Sequence, residues 1–215
     1  MSMIGYLTQL TPAQLASIRK APKTLTTEIE GSPTLCLGKM WNGLQFLLES
    51  YYPPRSDDGD GDEEGEAGDE DDGASGSRGA DGERNGSSAD GEGNIGSNIG
   101  SADENGAPDA APFPEMLDQA VIGGDLLGPD LGYGPACVLD PEEVQQLAAE
   151  LASVDGPTLR KAFDPAEMRT SDIYPSGIWS EGESVLHELM LSFVDLVAFY
   201  QQAAAAGNGV ATYLS

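Results

Sequence analysis

Residues 55–111 decide how much of this chain can fold. Between 57 and 109 stand 18 Asp and Glu against 2 Arg, together with 14 of the protein's 28 glycines. The span has no aromatic side chain, and Ile95 and Ile99 are its only large aliphatics. So little apolar surface, under a formal charge of −16, does not offset the entropy of ordering the backbone. Residues 55–111 are therefore expected to form a long, disordered, acidic insertion. The tandem Asn94-Ile95-Gly96-Ser97 and Asn98-Ile99-Gly100-Ser101 reads as low complexity and not as a fold repeat. Loop-closure entropy rises slowly with length, so one domain can carry such an insertion. The folding unit is then residues 1–54 joined to residues 112–215.

Charge narrows the partners. The chain carries −27, and outside residues 57–109 it still has 19 acidic against 8 basic side chains. Nucleic acid and anionic membrane surfaces are bound through Lys and Arg, so neither is expected as a partner. Basic proteins or cations are what this field attracts. Cys36 and Cys137 are the only cysteines and stand far apart, with no CxxC pattern and no disulfide framework. The reading expects no secretory signal, no myristoylation (Ser2 follows Met1) and no run near the roughly 20 apolar residues of a membrane span. A cytoplasmic protein with reduced thiols follows as the expectation.

The remaining residues read as helices bracketed by strands. Residues 3–8 suggest a strand. Thr11, Pro12 and Gln14 form a capping box with proline at the first helical position, and Leu15 and Ile18 give that helix its buried side before Pro22 ends it. Leu37, Trp41, Leu44, Leu48 and Tyr51 recur at helical spacing, which predicts one helix face. A short helix over 116–122 and a Gly- and Pro-rich ordered loop over 125–138 follow, with a strand at 136–139. Asp140-Pro141-Glu142-Glu143 starts a helix whose apolar face is Val144, Leu147, Ala148 and Leu151, and Asp164-Pro165 repeats the device. Ile178 and Trp179 read as core anchors. The longest helix, 180–206, carries the stripe Leu186, Leu189, Met190, Phe193, Leu196, Val197 and Tyr200, ends at Gly207-Asn208-Gly209, and leads to a strand over 210–214. The fold class is α+β: a single compact domain, mostly helical, with a small sheet formed by the N- and C-terminal strands.

The chemistry on offer is sparse. His187 is the only histidine, and no nucleophile pattern accompanies it. With separated cysteines, a zinc site is not expected. Asp58, Asp60 and Asp62 mimic the start of a calcium loop, but Glu63 stands where its glycine belongs and Asp69 where its glutamate belongs. Neither GxGxxG nor GxxxxGK[ST] occurs. Arg160, Lys161 and Arg169 put positive charge near Tyr174 and Trp179 in sequence, which suits an anion site, though salt bridges to the abundant acids explain them as well. Trp41 and Trp179 can line a pocket, but large aromatics at such positions are more often core.

Several stretches resemble one family in the right order. They are Met3-Ile4-Gly5-Tyr6, the Lys39-to-Leu48 helix KMWNGLQFLL, Gly123-Gly124, Gly132-Tyr133-Gly134-Pro135, Phe163-Asp164-Pro165, Ile173-Tyr174-Pro175 with Ile178-Trp179, and Phe199-Tyr200. Together they are similar to the YfbM-like family of small bacterial proteins. The resemblance implies a compact α+β fold and assigns no activity. Members of that family often carry His where Gln45 stands and Arg where Cys137 stands, so this chain lacks a proton-transfer group and a cation at those positions.

These readings favour a non-catalytic binding protein, for which a basic protein partner is one concrete form. Trp41, Gln45, Tyr133, Arg160, Arg169, Tyr174 and Trp179 are the candidate binding residues. No catalytic residue, metal or cofactor is expected, and the oligomeric state stays open. The alternative is a small-molecule enzyme with a pocket near Tyr133, Tyr174 and Trp179, using carboxylates for proton transfer.

Overall fold

Five strands, packed on both faces by helices, organise the protein in its computed structural model, which describes residues 2–51 and 114–215. The insertion expected over 55–111 lies outside these residues. Strand β1 (Gly5–Leu10) leads through Thr11 into α1 (Pro12–Lys20), whose capping box closes as expected: Gln14 Oε1 accepts from Thr11 N at 2.9 Å. A short α2 (Leu25–Glu28) and strand β2 (Thr34–Gly38) precede α3 (Trp41–Glu49). After the insertion come a single 3₁₀ turn (Leu117–Gln119), β3 (Asp125–Leu127), β4 (Ala136–Leu139) and α4 (Pro141–Ser153). Then follow α5 (Gly156–Lys161), α6 (Pro165–Thr170), α7 (Glu183–Ala206) and β5 (Gly209–Leu214).

The expected pairing of first and last strands forms the centre of the sheet. The order is β2-β1-β5-β4-β3, and every neighbouring pair is antiparallel. Leu7 sits opposite Thr212, and Cys137 opposite the same Thr212 from the other side. Side chains alternate across a sheet. Leu7, Leu139 and Val210 thus enter the larger core beneath α3, α4 and α7, while Leu10, Val138 and Ala211 join Leu15, Ile18 and Leu25 in a smaller core beneath α1 and α2.

Three sequence expectations are corrected. Leu37 belongs to β2 and not to the helix of Trp41, Leu44 and Leu48. Its spacing of four from Trp41 mimicked a helical turn, but Leu35 and Leu37 alternate as strand residues on one sheet face. The loop expected over 125–138 contains β3, hairpinned to β4 through Leu126 opposite Cys137. Finally, α7 is long and apolar enough by length and composition to cross a bilayer, the one such helix among the described residues. Leu186, Leu189, Phe193, Leu196, Tyr200 and Ala203 bury its inner side within the domain. The helix closes on Gly207 at φ +65°, with Gly207 N–H donating to Ala204 O and Asn208 N–H to Ala203 O, a left-handed cap open to glycine at little cost.

Candidate functional site

Helix α7 has two apolar surfaces. One enters the core. The other holds Leu191 and Val194, which remain 52% and 60% exposed on its outer side. His187, Leu191, Val194 and Ala198 recur at helical spacing, so they form one outward stripe. Beside it a shallow groove of about 340 Å³ runs between α4 and α7, lined by Leu151, Val154, Phe193, Val194, Val197 and Gln201 among others. The helices that frame it carry Glu142, Glu143, Glu150, Glu183, Glu188 and Asp195, and neither contains a Lys or Arg. Glu150 is used internally, accepting from Met116 N at 2.8 Å, and Glu183 pairs with Arg160. Glu188 and Asp195 make no ion pair among the described residues. They stand three residues before and four residues after Leu191, so the exposed leucine lies between two carboxylates.

The candidate residues named from sequence fall into three places. Trp41, Tyr174 and Trp179 meet at the start of α3. Trp41 stacks on Tyr174 with ring centroids 6.3 Å apart. Tyr174 N donates to Asn42 Oδ1 at 2.8 Å, and its hydroxyl accepts from Met3 N at 3.2 Å. Trp179 has no exposed surface, and its Nε1 donates to Ile173 O at 2.8 Å. The Trp179 ring lies against the α-carbon of Gly43, where only a hydrogen fits. This is a packed joint, and Trp179 offers nothing to a ligand arriving from solvent. The segment 159–179 thus clasps α3 to the entry of α7.

Gln45 is also structural. Its amide donates to Glu49 Oε1 at 2.6 Å and to Asp118 O, and its Oε1 accepts from Ile122 N at 3.4 Å, tying α3 to the segment before β3. Arg160 pairs with Glu183 at 3.4 Å across an exposed surface. Arg169 is exposed in the last turn of α6, where a cation suits the helix end.

Tyr133 lies elsewhere. It lines a cleft of about 160 Å³ with Leu126, Cys137, Thr212 and Leu214, and neither Tyr174 nor Trp179 contributes to it. Among the described residues, the three aromatics therefore do not line this cleft together. The cause is that Trp179, the first residue of a 3₁₀ turn (Trp179–Glu181) that leads into α7, is buried in the core. Burial pushes the Cys137 thiol up, only partly offset by the neighbouring Thr212 hydroxyl. His187 is exposed on the α7 stripe. Among the described residues, no cluster of three or more His, Cys, Asp or Glu is placed to hold a metal ion.

Sequence reasoning missed the outer face of α7 and the Cys137–Thr212 pair. The first was legible: Leu191 and Val194 fall off the inner stripe. The second depends on pairing between β4 and β5 and leaves no local signal.

Comparisons agree with this fold. The family model described as "Domain of unknown function (DUF1877)" matches residues 1–66 and 105–213, breaking inside the acidic Gly-rich stretch. No curated protein matches. Among solved structures, the crystal structure of the protein of unknown function YfbM from Escherichia coli superposes with a TM-score of 0.60 at 18% identity, covering 99% of each chain.

Proposed function

Because the chain belongs to the domain-of-unknown-function family DUF1877, we propose a function from its own geometry: a non-catalytic protein that binds a basic protein partner through the outer face of α7 and the α4–α7 groove. One observation carries this reading. Leu191 and Val194 stand exposed on α7 among Glu188 and Asp195, which make no ion pair among the described residues, beside an apolar groove whose two framing helices hold no Lys or Arg. Apolar surface supplies binding energy, and the carboxylates select a cationic partner and steer its approach. A groove between two helices accepts an amphipathic helix, so the partner surface is an apolar helix face flanked by Lys or Arg. A second copy of this chain fits poorly, since two faces of the same sign would meet. The two free thiols suit a reducing compartment such as the cytoplasm.

The test uses a Leu- and Lys-based amphipathic helical peptide and its Glu-for-Lys counterpart, titrated into the full chain by calorimetry and NMR. The Lys peptide is expected to bind with shifts confined to α4 and α7, more weakly as salt rises. Leu191→Ser with Val194→Ser should abolish binding without lowering stability, and Glu188→Lys with Asp195→Lys should weaken it. Equal binding of the Glu peptide, or shifts scattered elsewhere, would refute the reading.

A further inference from the structure

The two edges of the sheet are built differently. β3, at one end, is three residues long and begins with exposed Asp125. Shortness and charge are common ways of keeping an edge from pairing with another chain. β2, at the other end, has neither protection. It runs for five residues, Thr34-Leu35-Cys36-Leu37-Gly38, without a charge or a proline, and Thr34 and Cys36 are exposed.

The register identifies the backbone groups left over at this edge. Thr34 stands opposite Thr8, and Gln9 N donates to Pro33 O at 2.9 Å. Hydrogen-bonded and non-hydrogen-bonded pairs alternate along an antiparallel ladder. The Pro33 carbonyl therefore faces β1, Thr34 faces away, Leu35 faces β1 opposite Leu7, and Cys36 faces away. The N–H and C=O groups of Thr34 and Cys36 thus point out of the sheet, where no strand meets them among the described residues. A second β2 running antiparallel answers all of these groups in one register, with Thr34 opposite the partner's Cys36. Each of the two Thr34–Cys36 pairs then exchanges both of its hydrogen bonds. The twofold axis passes through Leu35, which falls opposite the partner's Leu35 in a closely spaced pair. Leu35 is half-buried against the larger core, so its counterpart covers the surface it still exposes.

We propose that the chain forms a twofold dimer in which β2 pairs with β2 of a second copy, joining the two sheets into one. Charge favours this edge for self-association. A chain carrying −27 associates with itself most readily where its own field is weakest. Residues 1–51, which supply β1, β2 and α1 to α3, hold 4 Lys and Arg against 3 Glu, whereas residues 114–215 hold 3 against 16 acidic side chains. Glu30 precedes β2 and Lys39 follows it, so antiparallel pairing brings Glu30 of each copy toward the partner's Lys39. β2 thereby supplies its own complement in backbone, in Leu35 and in flanking charge. The strand shares no residue with the α4–α7 groove, and the dimer stands or falls independently of the binding proposed there.

Sedimentation velocity of the full chain, reduced and over a range of concentrations, tests this. The wild type is expected to pass from monomer to dimer, at lower concentration as salt rises and screens the net charge. Cys36→Pro removes an outward N–H, which an edge strand tolerates, and places its ring in the partner's path; it should weaken the dimer at least about thirtyfold. A covalent trap reads the register without relying on that variant. Opposed residues of a hydrogen-bonded pair stand about 5.5 Å apart between α-carbons, within disulfide range. Thr34→Cys should therefore cross-link to the partner's Cys36 under mild diamide, which takes up the two thiol hydrogens as the S–S bond forms. The wild type, and Thr34→Cys combined with Cys36→Ser, should stay uncross-linked, because like residues lie two positions out of register. A chain that stays monomeric at every concentration and salt would overturn the assignment and leave the edge to a strand of another protein or to none. An undiminished dimer of folded Cys36→Pro, or equal cross-linking of Thr34→Cys with and without Cys36, would overturn it too.

Discussion

Replacing Gly43 with alanine should destabilise this protein, although the same change on an exposed helix surface stabilises. Gly43 lies within α3, where alanine is preferred over glycine by about 1 kcal/mol. Against that gain stands Trp179. A β-carbon on Gly43 would fall 2.4 Å from Trp179 Cη2, 3.0 Å from Cζ3 and 3.2 Å from Leu189 Cδ2. Carbon atoms pack comfortably at about 3.5–4.0 Å, so the indole must retreat by roughly 1 Å or more. It has nowhere to go: Trp179 is fully buried, and retreat stretches its 2.8 Å hydrogen bond to Ile173 O. Overpacking of this kind costs about 1–3 kcal/mol, and a forced shift of a large rigid ring belongs at the upper end. The net expectation is a loss of about 1–2 kcal/mol and a melting temperature lower by about 2–8 °C. Urea denaturation in a Trp41→Phe background isolates Trp179 fluorescence and gives both midpoint and slope. The cycle with Trp179→Phe, which withdraws the clashing ring edge and is followed by far-UV circular dichroism, should recover about 1 kcal/mol of the Gly43→Ala cost. Unchanged or raised stability of Gly43→Ala, or an equal cost in both backgrounds, would refute the close-packing argument.

Other expectations rest on single contacts. Tyr200→Phe removes the buried donor to Ala120 O at 2.9 Å and should cost about 1–2 kcal/mol in denaturant unfolding; a neutral result would mean that the carbonyl finds another partner. The Thr158 hydroxyl and backbone amide hold Asp155 below the usual carboxylate range, and the Gly132 and Gly134 amides do the same for Asp130. Their folded pKa values are the lower ones, so both stabilise fully above about pH 4 and lose that contribution as pH falls through the depressed values. Carboxyl NMR titration should place both midpoints below those of unfolded Asp, and an ordinary midpoint for either would contradict its hydrogen bonds. With a thiol reagent, exposed Cys36 should react first and Cys137 slowly, the two rates converging in denaturant; a single fast phase in the folded protein would contradict the burial of Cys137.

What could be read from the sequence follows the range of the forces involved. Capping is local, so Thr11-Pro12-Ala13-Gln14 marked the start of α1, and Asp164 caps α6 by accepting from Ala166 N at 2.8 Å and Glu167 N at 3.0 Å. Helical periodicity is nearly local, so the inner stripe of α7 and the apolar face of α4 were legible. Where two periods coincide over a few residues, the reading slipped: Leu37 fits both a helix face with Trp41 and a strand face with Leu35, and only pairing of β2 with β1 decides. Functional candidates fared worse for the same reason. A tryptophan in a turn looks alike whether it faces solvent or core, and Trp179 took the core because Gly43 leaves room for its ring. Conversely, Cys137 and Thr212 are 75 positions apart and become neighbours only through the β4–β5 register. The exposed apolar face of α7 and the cleft beside β3 and β4 arise where the layers stop covering one another. Those places are set by element lengths and crossing geometry, which act after each element has satisfied its own local rules. A sequence motif for them is therefore not to be expected, since function resides in sites placed on a fold and not in the fold itself.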